Sequence, residues 1–288
     1  MTDIRRIGTT TDLLGEGPVW CPRERALYWV DIRGRLLRRW TERGEQVTSW
    51  PMPEEIGSIA IADQGGVLVA LRSGIALFDA MAGSFTKLAD LPEHGPNLRC
   101  NDGKCDRQGR FWVGTMEMGT IAPTGKLYRL DDRGCTVMRT GLEIPNSLCW
   151  SPDGATMYWA DSLQRKILAF PYDTATGVPG APTVLAEVPA PAVPDGATVD
   201  AEGFVWSAQY GGSRVVRYAR DGRVDRVLDL PAVQITSCAF GGSDLGTLFV
   251  TSATQNLSAE ALAAQPLAGA LLAVDVGVNG LREPRFAF

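Results

Sequence analysis

Four side chains in this sequence combine the types and spacing to do chemistry together: Glu16, Asn101, Asn146 and Asp195. Each stands eleven or twelve residues ahead of a short apolar, aromatic-bearing segment, centred on Tyr28, Trp112, Tyr158 and Trp206 respectively. The contexts are Leu14-Gly15-Glu16-Gly17-Pro18, Arg99-Cys100-Asn101-Asp102-Gly103, Ile144-Pro145-Asn146-Ser147 and Val193-Pro194-Asp195-Gly196. Carboxylates and carboxamides brought to one point need compensation, because unpaired buried charge is expensive. A divalent cation supplies it, and an all-oxygen set suits Ca2+, Mg2+ or Mn2+ better than a thiol-seeking metal. Glu16, Asn146 and Asp195 form the candidate ligand set, with Asn101 nearby. Two carboxylates neutralise a 2+ ion and leave positions open to water or substrate. Arg99, two residues before Asn101, falls on the same face of an extended segment. It is a candidate contact for an anionic or polyhydroxy ligand, or else a surface Arg. Glu117, in Gly114-Thr115-Met116-Glu117, either reaches the same place or is a solvent-facing loop residue.

Taken singly, each residue has a plainer reading. Pro152-Asp153-Gly154 has the look of a hairpin turn, and Asp195 alone would be read the same way. Asn101-Asp102-Gly103 resembles a turn, and Asn146 after Pro145 a loop residue. The shared phase is what separates Asp195 from Asp153, since Asp200-Ala-Glu-Gly203 already supplies the turn that precedes Trp206.

That phase belongs to an internal repeat. The apolar segments are Leu27-Tyr-Trp-Val30, Val67-Leu-Val-Ala70, Phe111-Trp-Val-Gly114, Met157-Tyr-Trp-Ala160, Val205-Trp-Ser-Ala208 and Leu248-Phe-Val-Thr251. Their second residues, at 28, 68, 112, 158, 206 and 249, are spaced by 40, 44, 46, 48 and 43. Asp- and Gly-bearing turn signals precede most of them, and another apolar run follows each. No segment sustains a 3.6-residue period. Repeats of roughly 40–50 residues with four strands each are propeller blades. The expected fold class is therefore all-β, a six-bladed β-propeller of four-stranded blades around a central channel. Residues 1–288 are expected to form a single domain; a pair of β-sandwiches is the competing architecture. The residues at the shared phase lie ahead of the strand entering the hairpin, the innermost of each blade, so they converge on the channel axis.

Composition removes other classes. The chain has 288 residues, 45% of them hydrophobic, enough for a packed core. The net charge of -5 and the absence of a Lys/Arg-rich run argue against nucleic acid as a partner. No run of eighteen apolar residues exists, so no membrane span is expected; Gln265 and Pro266 interrupt the Ala/Leu-rich stretch 259–274. Met1–Gly8 carries no apolar leader region, so a cytoplasmic protein is expected, and the six cysteines read as reduced thiols. His94 is the only histidine, which excludes a multi-His metal site. Neither a G-x-S-x-G elbow nor a Gly-rich phosphate loop is present.

The motifs Leu14-Gly-Glu-Gly-Pro-Val-Trp20, Tyr28-Trp-Val-Asp31, Arg99-Cys-Asn-Asp-Gly-Lys104, Phe111-Trp-Val-Gly-Thr-Met116, Ile144-Pro-Asn-Ser147, Pro194-Asp-Gly196 and Val199-Asp-Ala-Glu-Gly-Phe-Val-Trp206 occur in this order. Together they make the chain resemble the gluconolactonase/regucalcin (senescence marker protein) family, and its bacterial sugar-acid lactonases most of all. The resemblance implies one divalent metal on Glu16, Asn146 and Asp195, without distinguishing Ca, Mg, Mn, Zn or Fe. It implies that Asp195 is the general base and that Asn101 and Arg99 contact the reacting water or a sugar lactone. The loop at Glu117 tends to touch substrate in this family. The implied reaction is hydrolysis of an aldonolactone such as gluconolactone, xylonolactone or arabinolactone. The protein is expected to be a monomer. Organophosphate or aryl-ester hydrolysis on the same site, and a non-catalytic calcium-binding regulatory protein, are the alternatives.

Overall fold

The computed structural model describes residues 3–44 and 46–288. Of the amino-terminal stretch read for a leader, Met1 and Thr2 lie outside the described residues, and Ile4–Ile7 is a strand. Six antiparallel sheets stand in a ring, giving the expected six-bladed propeller. The recurring apolar segments are the second strands: Ala26–Asp31, Val67–Leu71, Phe111–Glu117, Thr156–Asp161, Val205–Tyr210 and Thr247–Ser252. They read as continuous apolar runs because both faces of each blade are covered. One hydrophobic cluster fills the space between every pair of neighbouring blades, the sixth joining Trp20 and Trp29 of the first blade to Phe249 and Leu271 of the last. Trp29, Trp112, Trp159 and Trp206 on these strands are fully buried.

Two features depart from a plain four-stranded repeat. The fourth blade carries an additional short strand, Val178–Pro179. The last blade takes its outer strand from the other end of the chain: Ile4–Ile7 pairs with Leu271–Asp275, closing the ring. Ala259–Ala264 is a six-residue helix capped by Ser258, and among the described residues no helix is long and apolar enough to cross a membrane.

The innermost strands are Gly15–Cys21, Ile56–Ile61, Leu98–Cys105, Pro145–Trp150, Val193–Val199 and Ile235–Gly241. All six shift register against their second strand at the same place, between Glu16 and Val19 in the first blade and between Pro194 and Ala197 in the fifth. A bulge bends a strand and re-aims its side chains. The candidate residues thus lie within the inner strands, at this bulge, rather than ahead of them. Blade two contributes no side chain at this phase, for a steric reason: a Cβ on Gly57 would come within 2.3 Å of the Cys100 carbonyl, on the strand that carries Asn101.

Asp200 shows how a turn residue also fixes the blade. Its Oδ1 accepts from the Glu202 and Phe204 amides, both at 3.0 Å, forming the expected turn. Its Oδ2 accepts from Trp206 Nε1 and Arg217 Nε, both at 2.8 Å, in a fully buried setting. Asp106 repeats the pattern with Arg110 Nε at 2.5 Å and Trp112 Nε1 at 3.4 Å. Asp12 does the same with Trp29 and Arg38. Asp200→Ala leaves the Arg217 guanidinium without this buried partner, and is expected to destabilise by about 3–5 kcal/mol, read as a lower chemical-denaturation midpoint. An unchanged midpoint would show that Glu202 and Asp225, which also pair with Arg217, suffice.

Candidate active site

The bulges place Glu16, Asn101, Asn146 and Asp195 around one end of the channel, all buried, in the wall of a cavity of about 310 Å³. Arg99, Met116, Ile121, Ser162, Tyr210, Gln255 and Asn256 also line it. A chain of hydrogen bonds fixes the polar members. Arg99 Nη1 donates to Asn101 Oδ1 at 2.8 Å and to the Cys100 carbonyl at 2.9 Å. Asn101 Nδ2 donates to Asn146 Oδ1 and to the Pro145 carbonyl, both at 3.0 Å. Asn146 Nδ2 donates to Ser162 Oγ at 2.8 Å, and Ser162 Oγ donates to the Pro194 carbonyl at 2.7 Å. The chain therefore crosses from blade three through blade four to the residue before Asp195. Ser147, held at φ 60° in the bulge, donates its hydroxyl to the Asp195 carbonyl at 2.5 Å.

The second strands pin the approach to two of these residues. Asp31 accepts from the Leu13 and Leu14 amides at 3.0 Å, just ahead of Glu16. Asp161 accepts from the Glu143 and Ile144 amides at 2.9 and 2.8 Å, just ahead of Asn146. Asp31 and Asp161 occupy equivalent repeat positions, three residues after Tyr28 and Tyr158.

The site is short of positive charge. Burial, together with the Asp102 carboxylate, pushes Glu16 upward from its ordinary value. Burial, then Glu16 and Asp102, push Asp195 well above the usual carboxylate range. Asp102 is itself raised by burial, and its Oδ2 accepts from the Leu148 amide at 2.8 Å. Burial, with the nearby Arg33 guanidinium, lowers Arg99 to about 10, so it remains cationic at neutral pH. One buried arginine thus faces two carboxylates of the cavity wall, with a third behind them.

This arrangement fits a divalent cation. Glu16, Asp195 and the Asn146 carboxamide offer hard oxygen donors, and the two like charges need a counter-charge. Among the described residues no group of three His, Cys, Asp or Glu clusters as a metal site, in keeping with a donor set in which carboxamides complete two carboxylates. All six cysteines are free thiols, five of them buried, which leaves sulfur outside the set.

Five of the six residues singled out from the sequence come together. Glu117 does not join them. Its Oε2 accepts from Thr124 Oγ1 at 2.8 Å, and it lines a separate surface depression with Glu93, Asn97 and Lys126. Strand pairing supplies the reason: Arg99 lies opposite Met116, and Leu98 opposite Glu117, so Met116 takes the cavity position. Asp102, read as a turn residue, is instead a buried carboxylate beneath the site. Ser162, Gln255 and Asn256 carried no signal in the sequence; all three follow second strands, outside the repeat phase that located the others.

A family model described as the SMP-30/Gluconolactonase/LRE-like region matches residues 14–254, a span holding Glu16, Arg99, Asn101, Asn146 and Asp195. The chain belongs to this family. Among relatives of the SMP-30/gluconolactonase chain is a 6-deoxy-6-sulfogluconolactonase of Pseudomonas putida, 42% identical, covering 96% of this chain and 95% of that protein. An L-arabinolactonase of Azospirillum brasilense is 40% identical over 98% of this chain and 94% of its own. The structure of a calcium-binding protein, regucalcin, from Agrobacterium tumefaciens superposes with a TM-score of 0.96 at 32% identity, covering 100% of this chain and 98% of that one.

Proposed function

We propose that the chain hydrolyses a sugar lactone to the corresponding sugar acid. The observation that carries this reading is the convergence of Glu16, Asn146 and Asp195 on one cavity wall beside Arg99 and Asn101. The relatives named as sugar lactonases support the substrate class. Glu16, Asn146 and Asp195 would hold a divalent cation, which when bound supplies Lewis-acid polarisation of a carbonyl oxygen.

The protein's own groups account for the remaining chemistry. Asp195, whose backbone carbonyl accepts from Ser147, would take a proton from the attacking water as the water oxygen bonds to the lactone carbonyl carbon. The bond from that carbon to the ring oxygen then breaks, and the ring oxygen leaves as a hydroxyl carrying the proton that Asp195 took from the water, which returns Asp195 to its carboxylate form. Arg99 offers donors to the developing oxyanion or to sugar hydroxyls, and it is held by Asn101 and the Cys100 carbonyl rather than by a carboxylate. Met116, Ile121 and Tyr210 supply apolar surface for a sugar ring.

Arg99→Ala is expected to lower kcat/KM by about 10- to 100-fold while cation binding persists. Thermal shift with added cation and steady-state kinetics separate the two effects. Loss of the cation shift in this variant would move Arg99 into the ligand scaffold. Substrate class is tested by assaying aldonolactones beside an aryl ester and an organophosphate. Faster turnover of the lactones is expected, and turnover of the ester or organophosphate alone would refute the reading.

A further inference from the structure

We propose that the channel end opposite the candidate active site binds a small phosphorylated anion. The candidate active-site residues sit at the starts of the inner strands. A second cavity, of about 680 Å³, is formed by the turns that follow those strands, with Cys21, Arg23, Asp63 and Arg107, and by Arg282, Glu283 and Arg285 of the carboxyl-terminal segment. That segment crosses the channel mouth. Gly280 N donates to the Leu245 carbonyl on one side, while Phe286 N donates to Ile61 and Ala287 N to Gly109 on the other.

The charges in this cavity do not balance. Arg23 and Arg285 share a single carboxylate, Asp63, at 3.1 and 3.0 Å. Arg107 donates only to carbonyls: Ser151 at 3.2 Å, Trp150 at 2.9 Å and Arg282 at 3.5 Å. Arg282 makes no side-chain hydrogen bond or ion pair among the described residues. Glu283, the other acid of the lining, turns one oxygen to the channel interior while its charge also acts on Arg107. It pairs with buried Lys104 at 3.4 Å and accepts from Thr198 Oγ1 at 3.1 Å. Four guanidinium groups therefore face two carboxylates, Asp63 and Glu283, the second of which also answers Lys104, so the lining stays net positive in a chain whose net charge is -5.

The lining is open to solvent, with the Arg23 and Arg285 side chains 52% and 36% exposed, so the excess positive charge is available to an anion arriving from solution. Planar guanidinium forks match phosphate oxygens in pairs, which favours phosphate over a halide. The volume falls in the range of small-molecule sites and exceeds what a bare inorganic ion fills.

The test is calorimetric titration of the full chain in cation-free buffer with pyrophosphate and with glucose 6-phosphate. Saturable binding of either probe at one site per chain is expected. Arg282→Glu, which removes no side-chain hydrogen bond or ion pair found among the described residues, should weaken it by at least about tenfold, and Arg107→Ala should do the same. Arg99→Ala, at the other end of the channel, should leave it unchanged. Absence of saturable binding by both probes would overturn the proposal. So would binding that survives Arg282→Glu, or binding that Arg99→Ala abolishes.

Discussion

Asp195→Asn is expected to reduce lactone turnover by at least about a thousandfold with the propeller intact. The substitution keeps the side chain's shape at a buried position in the cavity wall. The Asp195 carbonyl still accepts from Ser147, and the bulge between Pro194 and Ala197 does not depend on the carboxylate. What is lost is the one acid of the site whose backbone is tied to a neighbouring inner strand by a hydroxyl. A carboxamide cannot accept the proton of an attacking water, although its oxygen can still face a cation. Turnover should therefore fall much further than cation binding does. Steady-state rates and thermal shifts on the same preparation show whether the two separate. Near-normal turnover in this variant would mean that another group, Glu16 or Asp102, serves as the base.

Glu16→Gln should give the largest effect on cation binding. Glu16 faces the charges of Asp195 and Asp102, with Arg99 as the buried counter-charge. Removing its charge lowers the repulsion among these acids and removes half of the formal charge that would hold a 2+ ion. The cation-free variant should thus melt no lower than the cation-free parent. At cation concentrations about a hundredfold above the dissociation constant, ligand linkage adds about 2.7 kcal/mol to the parent, a rise in Tm on the order of 5 °C. The variant should show little of that rise. An equal rise in parent and variant would place the cation elsewhere.

How far the sequence led depended on burial pattern. Second strands buried on both faces, as in Leu27-Tyr28-Trp29-Val30, leave uninterrupted apolar runs at regular intervals, so the ring of six blades was legible. The closing strand Ile4–Ile7 was not. It is four residues long with two exposed arginines, and its partner is Leu271–Asp275 near the far end of the chain. Repeat phase found Glu16, Asn101, Asn146 and Asp195 because the bulge recurs in every inner strand. Phase could not find Ser162, which enters from the turn after a second strand to hold Asn146. Glu117 lies outside the cavity because of alternation, since cross-strand pairing with Arg99 belongs to Met116 one residue earlier. Asp200 stands in the turn expected from the sequence and Asp106 in the equivalent turn of blade three, yet only tertiary packing shows that the second oxygen of each is a buried anchor for Trp and Arg.

The most direct measurement of the central claim is acid release from a panel of aldonolactones, followed in a pH-stat as a divalent cation is titrated into chelator-treated protein, with Tm recorded on the same samples. Hydrolysis of at least one lactone is expected well above its spontaneous rate, rising with the same cation dependence as Tm and absent in Asp195→Asn. A protein that binds its cation with a normal rise in Tm, yet leaves every lactone at the spontaneous rate, would contradict that claim.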